Sequence, residues 1–595
     1  MACVRDCPGC RQEDAVRRRA RSSPSERYKW TALSNTTLGV FIVLINQSIV
    51  IISLPSIFRG IHLDPLQPAN IGYLLWLLMG FLVVTAVLVV TFGRIGDMFG
   101  RVRMYNAGFL VFTIASIGLS VVPSTGSAGA LELIFGRIVQ GIGGALLMAN
   151  STAILTDAFP QEERGMALGI NMVAGIAGSF IGLVVGGLVS EIDWRLVFLV
   201  SVPVGVFGTV WAYLKLEDVG ERVKARTDWW GNATLAVGLV AILVGITYGI
   251  QPYGGHTMGW TNPVVMAEII GGVGLLLLFA WIETRVPEPM CDLGLFRIRA
   301  FSNAGAANLL SAVGRGGLQF ILIIWLQGIW LPLHGYSFER TPLWAGIYMV
   351  PLSVGFLLSG PVAGFLSDRF GNRPFSVGGM VLASSSFALL MLLPTDFGYV
   401  GFAALLFVNG IGNGLFAAPN TTSIMNSVPA AQRGSASGVR ATFMNTGFVL
   451  SIGLFFSLMI AGLAARLPAA MHAGLVAQGV PAADASRAAG VPPVGSLFAA
   501  FLGNNPMRTL LGPHVLGALP ASRASYITGK SFFPSLISGP FHFGLVIAFS
   551  TSAVMCAVAA LASWRAGSGR EPQRRRAEPA IDELAAAETE AWVGA

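Results

Sequence analysis

Long apolar stretches recur along the chain, parted by short polar or charged breaks. Residues 30–58, 104–131, 229–267, 441–465 and 536–564 contain no Asp, Glu, Lys or Arg. A helix needs roughly 20 apolar residues to cross the hydrocarbon of a bilayer, so each of these runs is long enough to span. Read through to the end, the pattern predicts fourteen helices, at 32–54, 71–92, 104–123, 131–156, 165–190, 195–214, 229–250, 264–282, 301–328, 343–366, 375–393, 399–425, 440–464 and 540–563. Breaks such as Glu191-Ile192-Asp193-Trp194-Arg195 and Pro394-Thr395-Asp396 read as tight turns. The expected fold class is an all-α polytopic membrane protein.

The pattern also repeats on a longer scale. Gly93, Asp97 and Gly100 return as Gly364, Asp368 and Gly371, at an offset of 271 residues. Gly141-Ile142-Gly143, Asn150, Pro160, Arg164-Gly165 and Gly169 return as Gly410-Ile411-Gly412, Asn420, Pro429, Arg433-Gly434 and Gly438, at 269 or 270. Six spans with their loops need only about 200 residues. The surplus matches 215–285, which holds two spans without a counterpart in the repeat. The predicted plan is a tail at 1–30, a six-helix half at 31–214, a linker with two extra spans at 215–300, a second six-helix half at 301–564 and a tail at 565–595. The second half includes a long outer loop at 465–539, with short amphipathic pieces such as Val494–Leu502. Two homologous sets of spans are a mark of secondary transporters.

Only 11% of the residues are charged, against about 25% in soluble domains. That excludes a large water-soluble core. The formal net charge of +8 is no nucleic-acid signal, because its basic residues gather in the N-terminal tail and in alternate loops. Arg94, Arg101, Arg103, Arg164, Lys215, Arg222, Lys224, Arg226, Arg285, Arg297, Arg299, Arg369, Arg373 and Arg433 fall on one side, and only Arg59, Arg195 and Arg340 on the other. Lys and Arg in short loops stay in the cytoplasm, so both termini are expected inside, in a multi-pass protein of the cell membrane. Cys3, Cys7 and Cys10 lack a fourth ligand for a tetrahedral metal site. No metal or cofactor is expected. No H-E-x-x-H, P-loop or catalytic cluster points to an enzyme or to ATP as driver.

Gly93–Arg103 supplies glycines for a tight turn and Asp97 beside basic residues. A conformational latch is expected from Gly93, Asp97, Gly100, Arg101 and Arg103, and from Gly364, Asp368, Gly371 and Arg373 in the second half. Here the chain resembles the major facilitator superfamily, specifically its fourteen-span EmrB/QacA-type drug:proton antiporter branch. The loop Gly93–Arg103 is similar to the family's motif between spans two and three. Arg137-Ile138-Val139-Gln140-Gly141-Ile142-Gly143 resembles its R-x-x-Q-G-x-G, and Trp194-Arg195 with Phe198 its entry to span six. The resemblance implies two six-helix halves that rock about a central cavity. It also implies a membrane-embedded Asp in span one as proton site, but this chain has Asn46 there. The G-x-x-x-G-P-x-x-G-G motif of span five appears as Gly178, Gly182, Gly186 and Gly187, with Leu183 in place of Pro.

Two arginines lie within spans, Arg137 and Arg315. A charge at mid-bilayer is costly unless it faces protein or water. With Asn46, Gln140, Asn308 and Gln319 they are the expected substrate and ion pathway. Glu132, Glu268 and Asp157 are the acids that remain for a proton. The expected function is export of amphipathic small molecules of the multidrug or natural-product type, by alternating access, driven by the proton gradient. A lipid or lipid-linked flippase and a non-transporting sensor on a transporter fold are the alternatives. The expected partners are the small-molecule substrate, the proton and membrane lipid.

Overall fold

The computed structural model describes residues 26–63, 68–160, 163–219, 228–286, 293–429 and 432–567. The tail cysteines Cys3, Cys7 and Cys10, Cys291 and most of the C-terminal tail lie outside the described residues, as do the side chains of Arg164, Asp368 and Arg433. The helices of the first half are α1 (Glu26–Gly60), α2 (Pro68–Phe99), α3 (Arg101–Ser120), α4 (Gly126–Ala158), α5 (Arg164–Ile192) and α6 (Leu196–Lys215). The inserted pair is α7 (Trp229–Gly249) and α8 (Pro263–Glu283). The second half opens with α9 (Arg299–Leu333), α10 (Thr341–Ser367, running on to Phe370), α11 (Asn372–Leu390), α12 (Tyr399–Asn426) and α13 (Arg433–Ala477). Four short helices follow, α14 (Ala482–Ala489), α15 (Pro493–Phe501), α16 (Met507–Ala518) and α17 (Ala521–Ile527), and then α18 (Phe532–Ala566).

Thirteen of these helices are long and apolar enough to cross a membrane. The other predicted span forms α11, whose apolar run is diluted by Ser384, Ser385 and Ser386. The inserted pair packs on itself, and α7 also lies in the groove between α2 and α13. It thereby covers one seam between the halves, with Ile246 against Gly453. Outward-facing Ile270 and Leu277 on α8 are more than 60% exposed, as suits side chains solvated by lipid.

The repeat is visible as matched packing. α2 and α3 pack on α4, and α10 and α11 pack on α12. An amide donation on α4 has a twin on α12: Gln140 Nε2 donates to Ser116 Oγ at 2.8 Å, and Asn409 Nδ2 to Ser386 Oγ at 2.7 Å. Thr85 donates to Gly141 O at 3.2 Å, and Ser359 to Ile411 O at 3.1 Å. In both halves one glycine with positive φ makes the tight turn, Gly100 (φ 106°) before α3 and Gly371 (φ 89°) before α11. A side chain rarely adopts this backbone region, so these two positions need glycine.

The two halves meet at the end of the bundle away from Gly100 and Gly371. Gln327 Nε2 of α9 donates to Ile52 O of α1 at 3.1 Å. On α5, a Cβ at Gly187 would collide with Leu343 of α10, and one at Gly346 of α10 would lie 2.8 Å from Leu183 O. These are backbone-to-backbone approaches that only small residues allow.

The segment expected as a long loop is folded instead. α13 continues unbroken to Ala477, over 45 residues. All nine residues of α15 are buried. This short helix packs on α13, on α2 and on a π-helical turn of α9, Leu326–Trp330. Gly328 in that turn lets it approach, since a Cβ there would sit 3.0 Å from Phe501 N. The piece read as amphipathic is apolar all round because it is a wedge enclosed between helices, not a surface strip.

Candidate functional site

Asn46, Arg137 and Gln140 come together inside the first half. Arg137 donates to Asn46 Oδ1, and to Gln140 Oε1 at 2.6 Å. Asn46 Nδ2 donates to Ser201 Oγ at 3.2 Å. The guanidinium lies 4.4 Å from the centroid of the Phe81 ring, a favourable face for a cation. The cluster thus joins α1, α2, α3, α4 and α6. Asn46 and Gln140 are 0% exposed and Arg137 is 1% exposed. In this state the three are enclosed within the half and do not line a pathway between halves. Their neutral acceptors leave Arg137 without a counter-charge.

The second half places its polar residues differently. From Ser311 to Trp325 of α9, every position is buried except Arg315 and Gln319. Asn308 is also half-buried, and spacings of seven and four residues put all three on one helix face. Arg315 is 5.7 Å from the Phe356 ring of α10. Among the described residues it has no hydrogen-bond or ion-pair partner. Asn308 Nδ2 donates to Arg440 O of α13 at 3.1 Å, and Arg440 Nε is buried without a hydrogen-bond partner. Sequence reading missed Arg440 because it stands at the predicted start of its span. Asn409 was identifiable from its offset of 269 from Gln140.

The loop motif divides. Arg101 Nε donates to Asp97 at 2.8 Å and its Nη1 pairs with Asp157 of α4. The partners of Asp97 and Arg101 all belong to the first half, so the charges brace α2, α3 and α4 of that half. Arg103 is exposed and takes no part in the brace. It lines an open groove with Asn106, Tyr213 and Asp218. In the second half, Gly364 faces Ala418 much as Gly93 faces Ala149. Of the three charges only Asp97 recurs, as Asp368, whose side chain lies outside the described residues. Asn372 and Asn426 stand where Arg101 and Asp157 do in the first half, and Arg373 stacks over Trp564 at 4.9 Å.

This brace is open to test. The side chains of Asp97, Arg101 and Asp157 are 21–28% exposed, so water screens part of their attraction and each pair contributes about 1 kcal/mol. Asp97→Asn is expected to leave the protein folded, slow transport, and raise cysteine accessibility at the end carrying Gly100. Unchanged transport together with unchanged accessibility would show a static turn.

The packing motif also divides. Cβ atoms on Gly178 and Gly182 would lie 2.8 Å from Phe41 O and 2.6 Å from Ile45 O, and one on Gly186 would press on Ile49 and Ile52. These three glycines therefore seat α5 on α1. Gly187 turns instead to the other half.

The chain matches the model of the Major Facilitator Superfamily over residues 36–282 and 226–452. It is 29% identical over 478 residues to the tetracenomycin C resistance and export protein of Streptomyces glaucescens, covering 79% of this chain and 84% of that one. It is 28% identical over 449 residues to the multidrug resistance protein Stp of Mycobacterium tuberculosis, covering 74% and 78%. Among solved structures it resembles the peptide transporter POT, with a TM-score of 0.53 and 17% identity over 86% of this chain and 99% of that one. A bacterial homologue of the lysosomal transporter Spinster gives 0.53 and 16%, over 91% and 98%. Two six-helix halves with matched hydrogen bonds, an inserted pair of spans and the family match over most of the length lead to one conclusion: this chain is a multi-pass membrane transporter of the Major Facilitator Superfamily.

Proposed function

We propose that the chain exports small amphipathic molecules from the cell by alternating access, energised by the proton-motive force. The observation that carries this reading is the stripe Asn308, Arg315 and Gln319. It leaves polar groups without full partners along a span of the second half, Arg315 at its middle. The relatives named for tetracenomycin C export and multidrug resistance support the direction and the kind of cargo. The carboxylate best suited to carry a proton is Glu268 on α8, whose Oε2 is buried without a hydrogen-bond partner. Asp157 is held by Arg101, and Glu132 bonds Ser124 Oγ at 2.7 Å.

The reading is tested with the purified full chain in proteoliposomes, given a panel of fluorescent amphiphiles with and without a pH gradient. Gradient-dependent movement that Glu268→Gln abolishes supports it. Absence of movement for every compound overturns it.

In the same reading both termini are cytoplasmic and the end of the bundle carrying α14–α17 faces outward, at the cell membrane. The distribution of Lys and Arg over short loops supports this orientation. A cysteine introduced at the exposed position Ala521 is expected to react with an impermeant maleimide in intact cells. Reaction only after permeabilisation would reverse the orientation.

A further inference from the structure

Charge is distributed one-sidedly inside the two halves. Each acid in their spans, Glu26, Asp97, Glu132, Asp157, Glu191 and Asp368, lies within the first or last two turns of its helix. Arg137 and Arg315 lie deep inside theirs. Arg137 is fully supplied with neutral acceptors. Arg315 is not. It has sixteen helical residues before it and eighteen after it in Arg299–Leu333, so it sits at the centre of the span. Its guanidinium faces the Phe356 ring and lies within electrostatic reach of the neutral Cys556 thiol on α18, neither of which is a counter-charge. Gln319, one turn on, has no hydrogen-bond partner among the described residues either. Arg440 lies at the level of Asn308, about 10 Å below Arg315 at 1.5 Å per residue, and adds a second cation whose Nε is unpartnered.

A cation held in low dielectric needs a counter-charge, and among the described residues no carboxylate reaches Arg315. We propose that Arg315, with Gln319 and Asn308, is the headgroup site for an anionic amphiphile, one bearing a carboxylate, sulfonate or phosphate. The guanidinium fork takes two of the anion's oxygens, the Gln319 amide donates to the same group, and the apolar body lies against Phe356. A lipophilic cation finds no partner there and is repelled by two arginines. The inference rests on the export reading and sharpens it. An anion leaving the cell moves down the inside-negative potential, so the electrical part of the proton-motive force drives this substrate directly.

The test uses three naphthalene probes that differ only in carrying a sulfonate, a neutral sulfonamide or a trimethylammonium group, with the full chain in proteoliposomes. The wild type is expected to move the sulfonate fastest, and faster still when a potassium diffusion potential opposes its retention. Arg315→Ala is expected to slow the sulfonate about ten-fold or more, the scale of a lost charge-assisted hydrogen bond, and the sulfonamide less than about two-fold. Arg315→Lys keeps the preference for the anion. Faster movement of the trimethylammonium probe by the wild type overturns the anion class and leaves the export reading standing. So does equal sulfonate transport by folded Arg315→Ala. If Arg315→Ala does not fold, the probe ranking of the wild type and of Gln319→Leu decides in the same way. Movement of none of the probes by the wild type removes the export reading and this inference with it.

Discussion

Arg137→Leu is expected to destabilise the first half by about 3–5 kcal/mol, the usual cost of breaking a buried charged network by removing one partner. Asn46 Oδ1 and Gln140 Oε1 both accept from this guanidinium, in an enclosure where both residues are 0% exposed. Leucine fills much of the volume but leaves two amide oxygens dry and unpaired, at about 1–3 kcal/mol each. Removing a desolvated cation offsets part of that loss. The cluster touches five of the six helices of the half, so the loss falls on the whole half and transport disappears with it. Arg137→Lys, a point charge without the planar fork, is expected to fall between. Asn46→Asp gives Arg137 the counter-charge it lacks and is expected to raise thermal stability. The measurement is thermal unfolding in detergent, followed by tryptophan fluorescence and by the fraction remaining monodisperse. Arg137→Leu unfolding at the wild-type temperature would show that the network is only a convenient neutraliser of Arg137.

The architecture was legible because its causes are local. Charge-free runs mark spans whatever packs beside them, and the offset near 270 residues carries the two-half plan. The matched bonds Gln140–Ser116 and Asn409–Ser386 are the same plan read in atoms. Three things were not legible. That Arg137, Asn46 and Gln140 close on one another, whereas Arg315 stays unpaired, depends on which helix faces meet, and spacing along one helix does not reveal that. That Gly187 belongs to the contact between halves while Gly178, Gly182 and Gly186 belong to one half is a matter of about 100° of helix rotation. That Pro493–Phe501 is a buried wedge depends on a π-helical turn at Gly328 in another helix. A short apolar run between prolines reads equally as a surface strip or an enclosed helix.

Gly187→Leu and Gly182→Leu, five residues apart in one motif, are expected to fail in different ways. A Cβ at Gly182 would lie 2.6 Å from Ile45 O and 3.0 Å from its Cα. Both atoms are backbone of α1, the partner that α5 needs in order to fold. Overpacking at such a contact costs about 1–3 kcal/mol or more, and nothing in the half can move aside. Gly182→Leu should therefore reduce yield and thermal stability. A Cβ at Gly187 meets the α10 backbone, colliding with Leu343 Cα and standing 2.7 Å from Leu343 N. This contact crosses between halves, and the alternating-access cycle proposed above would separate them there. The molecule can relieve the clash by opening at that end, with each half intact. A penalty of about 3 kcal/mol on the closed arrangement shifts the two-state balance by more than about a hundred-fold. Gly187→Leu should then keep near-wild-type thermal stability, lose export, and expose a cysteine at Ile52, which is 0% exposed in the closed arrangement. Faster maleimide reaction at Ile52→Cys in the Gly187→Leu background than in the parent reads that opening directly. Normal export by Gly187→Leu, or unfolding alike in the two variants, would mean that the contact at Leu343 is not one that parts during transport.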